Sequence, residues 1–185
     1  MSYMKDQLTP KLPAGMSIPE PLERAWTWME TQGWGHGEGD DYFLTPYAGK
    51  RQMGIVFSTD RTLEGWFEEG QEGFERLFPL AEISGDGGIG LMWLKDDGEI
   101  AFAGLGGFGP FLLADNAIDF LRLIAIGKHE LDSLLLTTEA EDEEATAHAE
   151  FRSWVTSEFG VEVPLTWEES PDPDPFEAWI ESLEN

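Results

Sequence analysis

Apolar positions along the chain repeat at two periods, and the switches between them mark out the elements. Leu22, Ala25, Trp26 and Met29 recur at i, i+3, i+4 and i+7, the stripe of an amphipathic helix. Ser17 stands three residues before Glu20, a capping-box spacing; Pro19 suits a first turn and Gly33 supplies the stop. Residues 1–16 carry Pro10 and Pro13 and no periodicity, which predicts a flexible N-terminal arm ahead of a single domain over 17–185. Residues 34–41, WGHGEGDD, read as a loop. Residues 42–44 and 53–57 read as short strands separated by Pro46 and Gly49. Between Asp60 and Leu77 the set Leu63, Trp66, Phe67, Phe74 and Leu77 has helical spacing, broken by Gly65, Gly70 and Gly73, so a weak helix is expected.

The middle of the chain has the strongest pattern. Residues 89–94, IGLMWL, are apolar on both alternating faces, as a central strand covered on two sides requires. Lys95, Asp96, Asp97 and Gly98 supply a turn, residues 99–103 return as its partner strand, and 111–114 form a third. Asp115 then caps a helix in which Ile118, Phe120, Leu121, Leu123, Ile124, Ala125 and Ile126 occupy nearly every side, so the helix must be buried across the sheet. Phe151, Trp154, Val155 and Phe159 predict a further helix stopped by Gly160, and Phe176, Trp179, Ile180 and Leu183 a last one. No period of 20 to 50 residues indicates a repeat fold.

Charge changes the picture more than length does. The chain has 185 residues, enough for one core, and 37 Asp and Glu against 11 Lys and Arg, a net charge of −26. A polyanion is bound by basic patches, so nucleic acid is excluded as a ligand, and an anionic membrane surface for the same reason. With 41% hydrophobic residues and eight Trp, the sequence is too apolar to remain disordered. The charge is uneven: residues 129–185 hold 17 acids and only Arg152 as a base, net −16. Cysteine is absent, which excludes disulfides and thiolate chemistry. The first fifteen residues lack the apolar region of a signal peptide and no apolar run approaches the ~20 residues of a membrane span, so a cytoplasmic location is expected.

Candidate catalytic motifs do not survive their context. Gly104, Gly106 and Gly109 satisfy G-x-G-x-x-G, but Pro110 and a strand-like run follow where a dinucleotide site needs a helix N-terminus, so a bend between strands is the better reading. His36, His129 and His148 are dispersed, without H-E-x-x-H or a calcium loop, and no serine sits in G-x-S-x-G, so neither a metal nor a cofactor is expected. An enzyme acting through its carboxylates would need a cleft with a strongly shifted carboxyl group. Trp26, Trp66, Trp93, Trp154 and Trp179 fall on apolar stripes and are assigned to core. Trp34 and Trp167, in glycine-rich or acidic surroundings, are assigned to the surface, where an exposed Trp rimmed by carboxylates can anchor a partner.

From Gly85 to Leu131 the order GDGGIGLMWLKDDGEI, a glycine-rich break, then LLADNAIDFLRLIAIGKHEL resembles the SUKH superfamily, which includes the fungal cell-wall assembly regulator and Syd-like proteins. The opening IPEPLERAWTWME is similar to that family's start, with Ile18 where Leu is commoner, and FRSWVTSEFGVEVP and PFEAWI are similar to the C-terminal helices of its bacterial members. The resemblance implies an α+β single domain, a largely antiparallel sheet with helices packed around it, in agreement with the elements above. It also implies a non-catalytic bacterial immunity protein that binds a toxin domain, often a nuclease; the alternative is a regulatory scaffold of the cell-wall regulator type. A toxin that attacks nucleic acid presents a basic surface, which an acidic partner complements. The expected contacts are three places of high negative charge: Trp34, Glu38, Asp40 and Asp41; the turn at Asp96 and Asp97; and Glu141, Asp142, Glu143 and Glu144.

Overall fold

Among the described residues seven strands form one antiparallel sheet in chain order: β1 (Gly35–His36), β2 (Phe43–Leu44), β3 (Val56–Ser58), β4 (Leu77–Glu82), β5 (Ile89–Leu94), β6 (Ile100–Gly106) and β7 (Gly109–Ala114). A computed structural model describes residues 1–50 and 53–185. Among the described residues six α-helices surround the sheet: α1 (Tyr3–Leu8), α2 (Glu20–Thr31), α3 (Ala117–Ala125), α4 (Asp142–Ala147), α5 (Ala149–Phe159) and α6 (Pro175–Leu183). The class is α+β, as the sequence pattern requires.

The hairpin pattern gives the sheet its register. At the β5–β6 turn the Gly98 amide donates to the Lys95 carbonyl at 3.0 Å and Lys95 to Glu99 at 2.9 Å, with Gly98 at φ +84°. The G-x-G-x-x-G string runs from inside β6, where Gly104 pairs with Phe111, to the β6–β7 turn, which Gly106 and Gly109 flank as a pair. A Cβ on Gly104 would meet the Phe111 ring at 2.5 Å, and Gly109 takes the turn at φ +97°. Gly104 therefore makes room for strand packing and Gly109 for the turn between the two strands.

Strand alternation then divides the core in two. Met92, Phe102, Phe111 and Leu113 face the larger core, shared with α1, α2, α3 and α5. Phe120 of α3 stacks on Phe102 at 4.2 Å, and α3, apolar nearly all round, is buried between the sheet and its helical neighbours. Trp28 of α2 stacks on Trp154 of α5 at 5.2 Å, tying the two outer helices together. Arg152 of α5 donates to the Ala125 and Ile126 carbonyls, closing the end of α3. On the opposite face Leu91, Trp93, Ala101, Ala103, Leu105 and Leu112 pack against Phe176 and Trp179 of α6 and against Leu63 and Phe67.

Three expectations need correction. Residues 1–16 are not a flexible arm: Ser2, Met4 and Leu8 are buried, and the Glu30 carboxylate accepts from the Tyr3 amide at 3.0 Å and the Met4 amide at 2.9 Å. A distant carboxylate thus caps α1, which no local periodicity can reveal. Residues 60–77 form no α-helix. Their glycines take positive φ, so the segment runs as turns that press Leu63 and Phe67 onto the sheet, and β4 begins at Leu77. The caps also move: α2 opens at Pro19 with no side-chain cap rather than at Ser17, and Asn116, not Asp115, caps α3.

Candidate partner-binding surface

Two of the ten expected contact residues are buried. Trp34 is 5% exposed because its indole turns inward from the end of α2 and packs edge-on against Trp28 at 5.0 Å. Glu144 is 7% exposed, in the first turn of α4, and its Oε2 is buried without a hydrogen-bond partner among the described residues. Neither can anchor a partner. The indole of Trp167, also expected at the surface, is half-buried and donates to the Leu113 carbonyl at 2.9 Å.

The other expected residues are exposed, but several are occupied. Lys11 binds Asp40 at 2.8 Å and holds its carboxyl below the ordinary value, chiefly through that hydrogen bond. Arg76 binds Asp96 at 2.6 Å, and Asp97 accepts the Glu99 amide at 2.9 Å as part of its turn while lying 3.7 Å from Lys95. Glu141, Asp142 and Glu143 open α4, where carboxylates favour the helix N-terminus. Glu38 and Asp41 lie in the loop around a short 3-10 turn that leans on the N-terminal segment through Lys11 and the Tyr3 hydroxyl. The three groups are held by different neighbours and do not form one site.

The acid-rich last third is likewise divided. Helix α5 packs on α3, while α6 crosses to the other face of the sheet. There it meets a second acidic stretch, and the combination is the most distinctive surface of the protein. Glu64, Glu68, Glu69, Glu72 and Glu75 stand exposed on the turns of residues 63–76, and Glu177, Glu181 and Glu184 on α6. None of these eight forms an ion pair among the described residues. Between the two segments lies a groove of about 180 Å³, lined by Trp66, Phe67, Leu105, Pro110, Ile180 and Leu183 with Glu72 and Glu184 at its rim. Trp66 is 40% exposed, and Phe108, at the tip of the hairpin that supplies Leu105 and Pro110, is 66% exposed.

The helical spacing of Trp66 predicts a core position, and the weak helix expected over residues 60–77 gives its acids no site of their own, whereas the structure leaves Trp66 half-exposed among them. A signal was present in that same stretch: a Trp among five glutamates and three glycines is ill suited to a regular buried element.

A concavity of about 640 Å³ lies at the β7 edge between α3 and residues 164–171. Its wall includes Asp115, Asp119, Glu168 and Glu169. Arg122 there is engaged by Asp119 at 3.0 Å and by the Glu162 carbonyl at 2.7 Å, and lies over the Trp167 ring. None of the three histidines lines it. Among the described residues no group of three or more His, Asp or Glu is placed to hold a metal ion, and no helix is long and apolar enough to cross a membrane. Compared with protein-family models, curated proteins and solved structures, the chain shows no match in any of the three.

Proposed function

We propose that this chain is a non-catalytic immunity protein of the cytoplasm that binds and neutralises a cognate basic toxin domain, of the kind that attacks nucleic acid. The observation that carries the reading is the acidic face around α6 and residues 63–76, which has no ion pair among the described residues, together with the half-exposed Trp66 lining an apolar groove between the two segments. Aromatic anchors within a charged rim are the usual make-up of a protein-binding hot spot. Complementary charge raises association rates towards about 10⁸ to 10⁹ M⁻¹s⁻¹ at low salt, which suits an antidote racing against damage. The resemblance of residues 85–131 to the SUKH superfamily supports the same reading.

Co-expression with a toxin domain encoded beside this chain tests it. Growth is expected to be rescued in proportion to the amount of chain expressed, with a stoichiometric complex recovered on purification. Absence of both rescue and complex would overturn the proposal.

A further inference from the structure

We infer that the groove between α6 and residues 66–72 is the docking point, and that its occupant is one bulky apolar side chain on a segment flanked by lysine or arginine. This rests on the proposal of a basic protein partner and adds the surface and the chemistry of its recognition.

Size, lining and rim each limit the occupant. A groove of about 180 Å³ is smaller than the ~300–1,000 Å³ of small-molecule sites, and fits a single side chain. Its floor offers Phe67, Leu105, Pro110, Ile180 and Leu183, with no positive charge, so the inserted group is apolar. Glu72 from the turns and Glu184 from the end of α6 both line it, and Glu68, Glu69 and Glu181 stand exposed on the same two segments, so the flanking groups are cationic. The nearby base, Arg76, is already committed to Asp96, to the Leu94 carbonyl and to the face of Trp179. It does not neutralise the rim. Trp66, exposed by 40%, forms one wall and gains most from being covered.

The test uses the intact chain and two matched synthetic peptides, one lysine-rich with a single central leucine, the other with that leucine replaced by serine. Both are titrated by calorimetry at low ionic strength. The leucine peptide is expected to bind about tenfold more tightly, and Trp66→Ala to remove that difference while leaving the serine peptide unchanged. Oxidative footprinting of the unaltered protein gives a second readout: Trp66 is expected to be shielded by the leucine peptide and not by its serine counterpart. Equal binding of the two peptides, or a leucine preference that survives Trp66→Ala without shielding of Trp66, overturns the groove while leaving the basic-partner reading standing. Failure of both peptides to bind overturns that reading itself.

Discussion

At the scale of single residues, stability is concentrated in polar groups that act far from their own place in the chain. Glu30, near the end of α2, accepts from the Ser2 hydroxyl, the Tyr3 and Met4 amides and the Tyr42 hydroxyl. Burial, reinforced by the adjacent Glu30 charge, raises the Tyr42 pKa above its ordinary value, so this phenol stays a donor throughout the physiological range. Glu30→Ala is therefore expected to cost about 2–3 kcal/mol in urea unfolding and to release the α1 amides to hydrogen exchange. Wild-type exchange rates there would show that α1 is held otherwise. His148 makes a second prediction. It is 1% exposed beside Tyr47, and its Nδ1 must carry the proton, since the Glu144 carbonyl 2.7 Å away can only accept. Burial lowers its pKa, opposed by the hydrogen bond to the Glu144 carbonyl, with the Arg152 charge a lesser push in the same downward direction. The unfolded chain takes up that proton below about pH 6.5 while the folded one resists, so stability falls on acidification from pH 7, by up to ~1.4 kcal/mol per pH unit. Urea midpoints at pH 7.5 and 5.5 should differ more for the wild type than for His148→Gln; equal differences would remove His148 as the cause.

Among elements, the exposed edge of the sheet shows how a polar loop becomes structural. Strand β7 has β6 on one side only, and residues 161–174 cover the other. Leu113 falls at an irregularity in the β6–β7 register, and its carbonyl takes the Trp167 indole N–H. Asp174 accepts the Leu112 amide at 2.8 Å while its other oxygen caps α6 through the Phe176 and Glu177 amides. Asp174→Ala should cost about 2–3 kcal/mol, from the lost cap and the bared edge, and should promote self-association through β7, seen by sedimentation. A variant that stays monomeric at wild-type stability would show that the cover is ornamental. None of this was legible in the sequence, where residues 161–174 carry prolines, acids and scattered apolar residues with neither a helical nor a strand period. What was legible had strong local grammar: the α2 stripe, the IGLMWL strand with its Asp-Gly turn, the all-apolar α3. Strand β4 was missed because Pro79 and the helical spacing of the preceding aromatics masked its alternation. The candidate site was hidden for a related reason, since Trp66 and α6 lie more than a hundred residues apart and meet only because the sheet's second face needs a cover.

For the molecule as a whole, the question is whether −26 marks a partner or merely keeps the chain in solution. Spread over 9124 Å² of surface, the net charge amounts to about one per 350 Å², a mean spacing wider than the ~8 Å Debye length at physiological salt. Five acids fall within residues 64–75, and no base among the described residues pairs with them, so self-repulsion is local and screenable. The bases that do form ion pairs contribute little by them, being exposed or half-exposed, so salt removes little stabilisation while relieving repulsion. Thermal unfolding should therefore move upward as salt rises from about 10 to 150 mM, by on the order of 1 kcal/mol, and then level off as the Debye length falls below the spacing within the cluster. Lysine substitution of Glu68, Glu69 and Glu72 together should flatten that rise, whereas substitution of Asp40 and Asp41 should change it less, because Lys11 already offsets Asp40. A chain whose acidity serves life in brine would behave differently: its stability would keep climbing into molar salt, with no one cluster responsible. That result would remove the partner as the reason for the charge, while a plateau that depends on residues 68–72 places the electrostatic cost at the surface where binding would recover it.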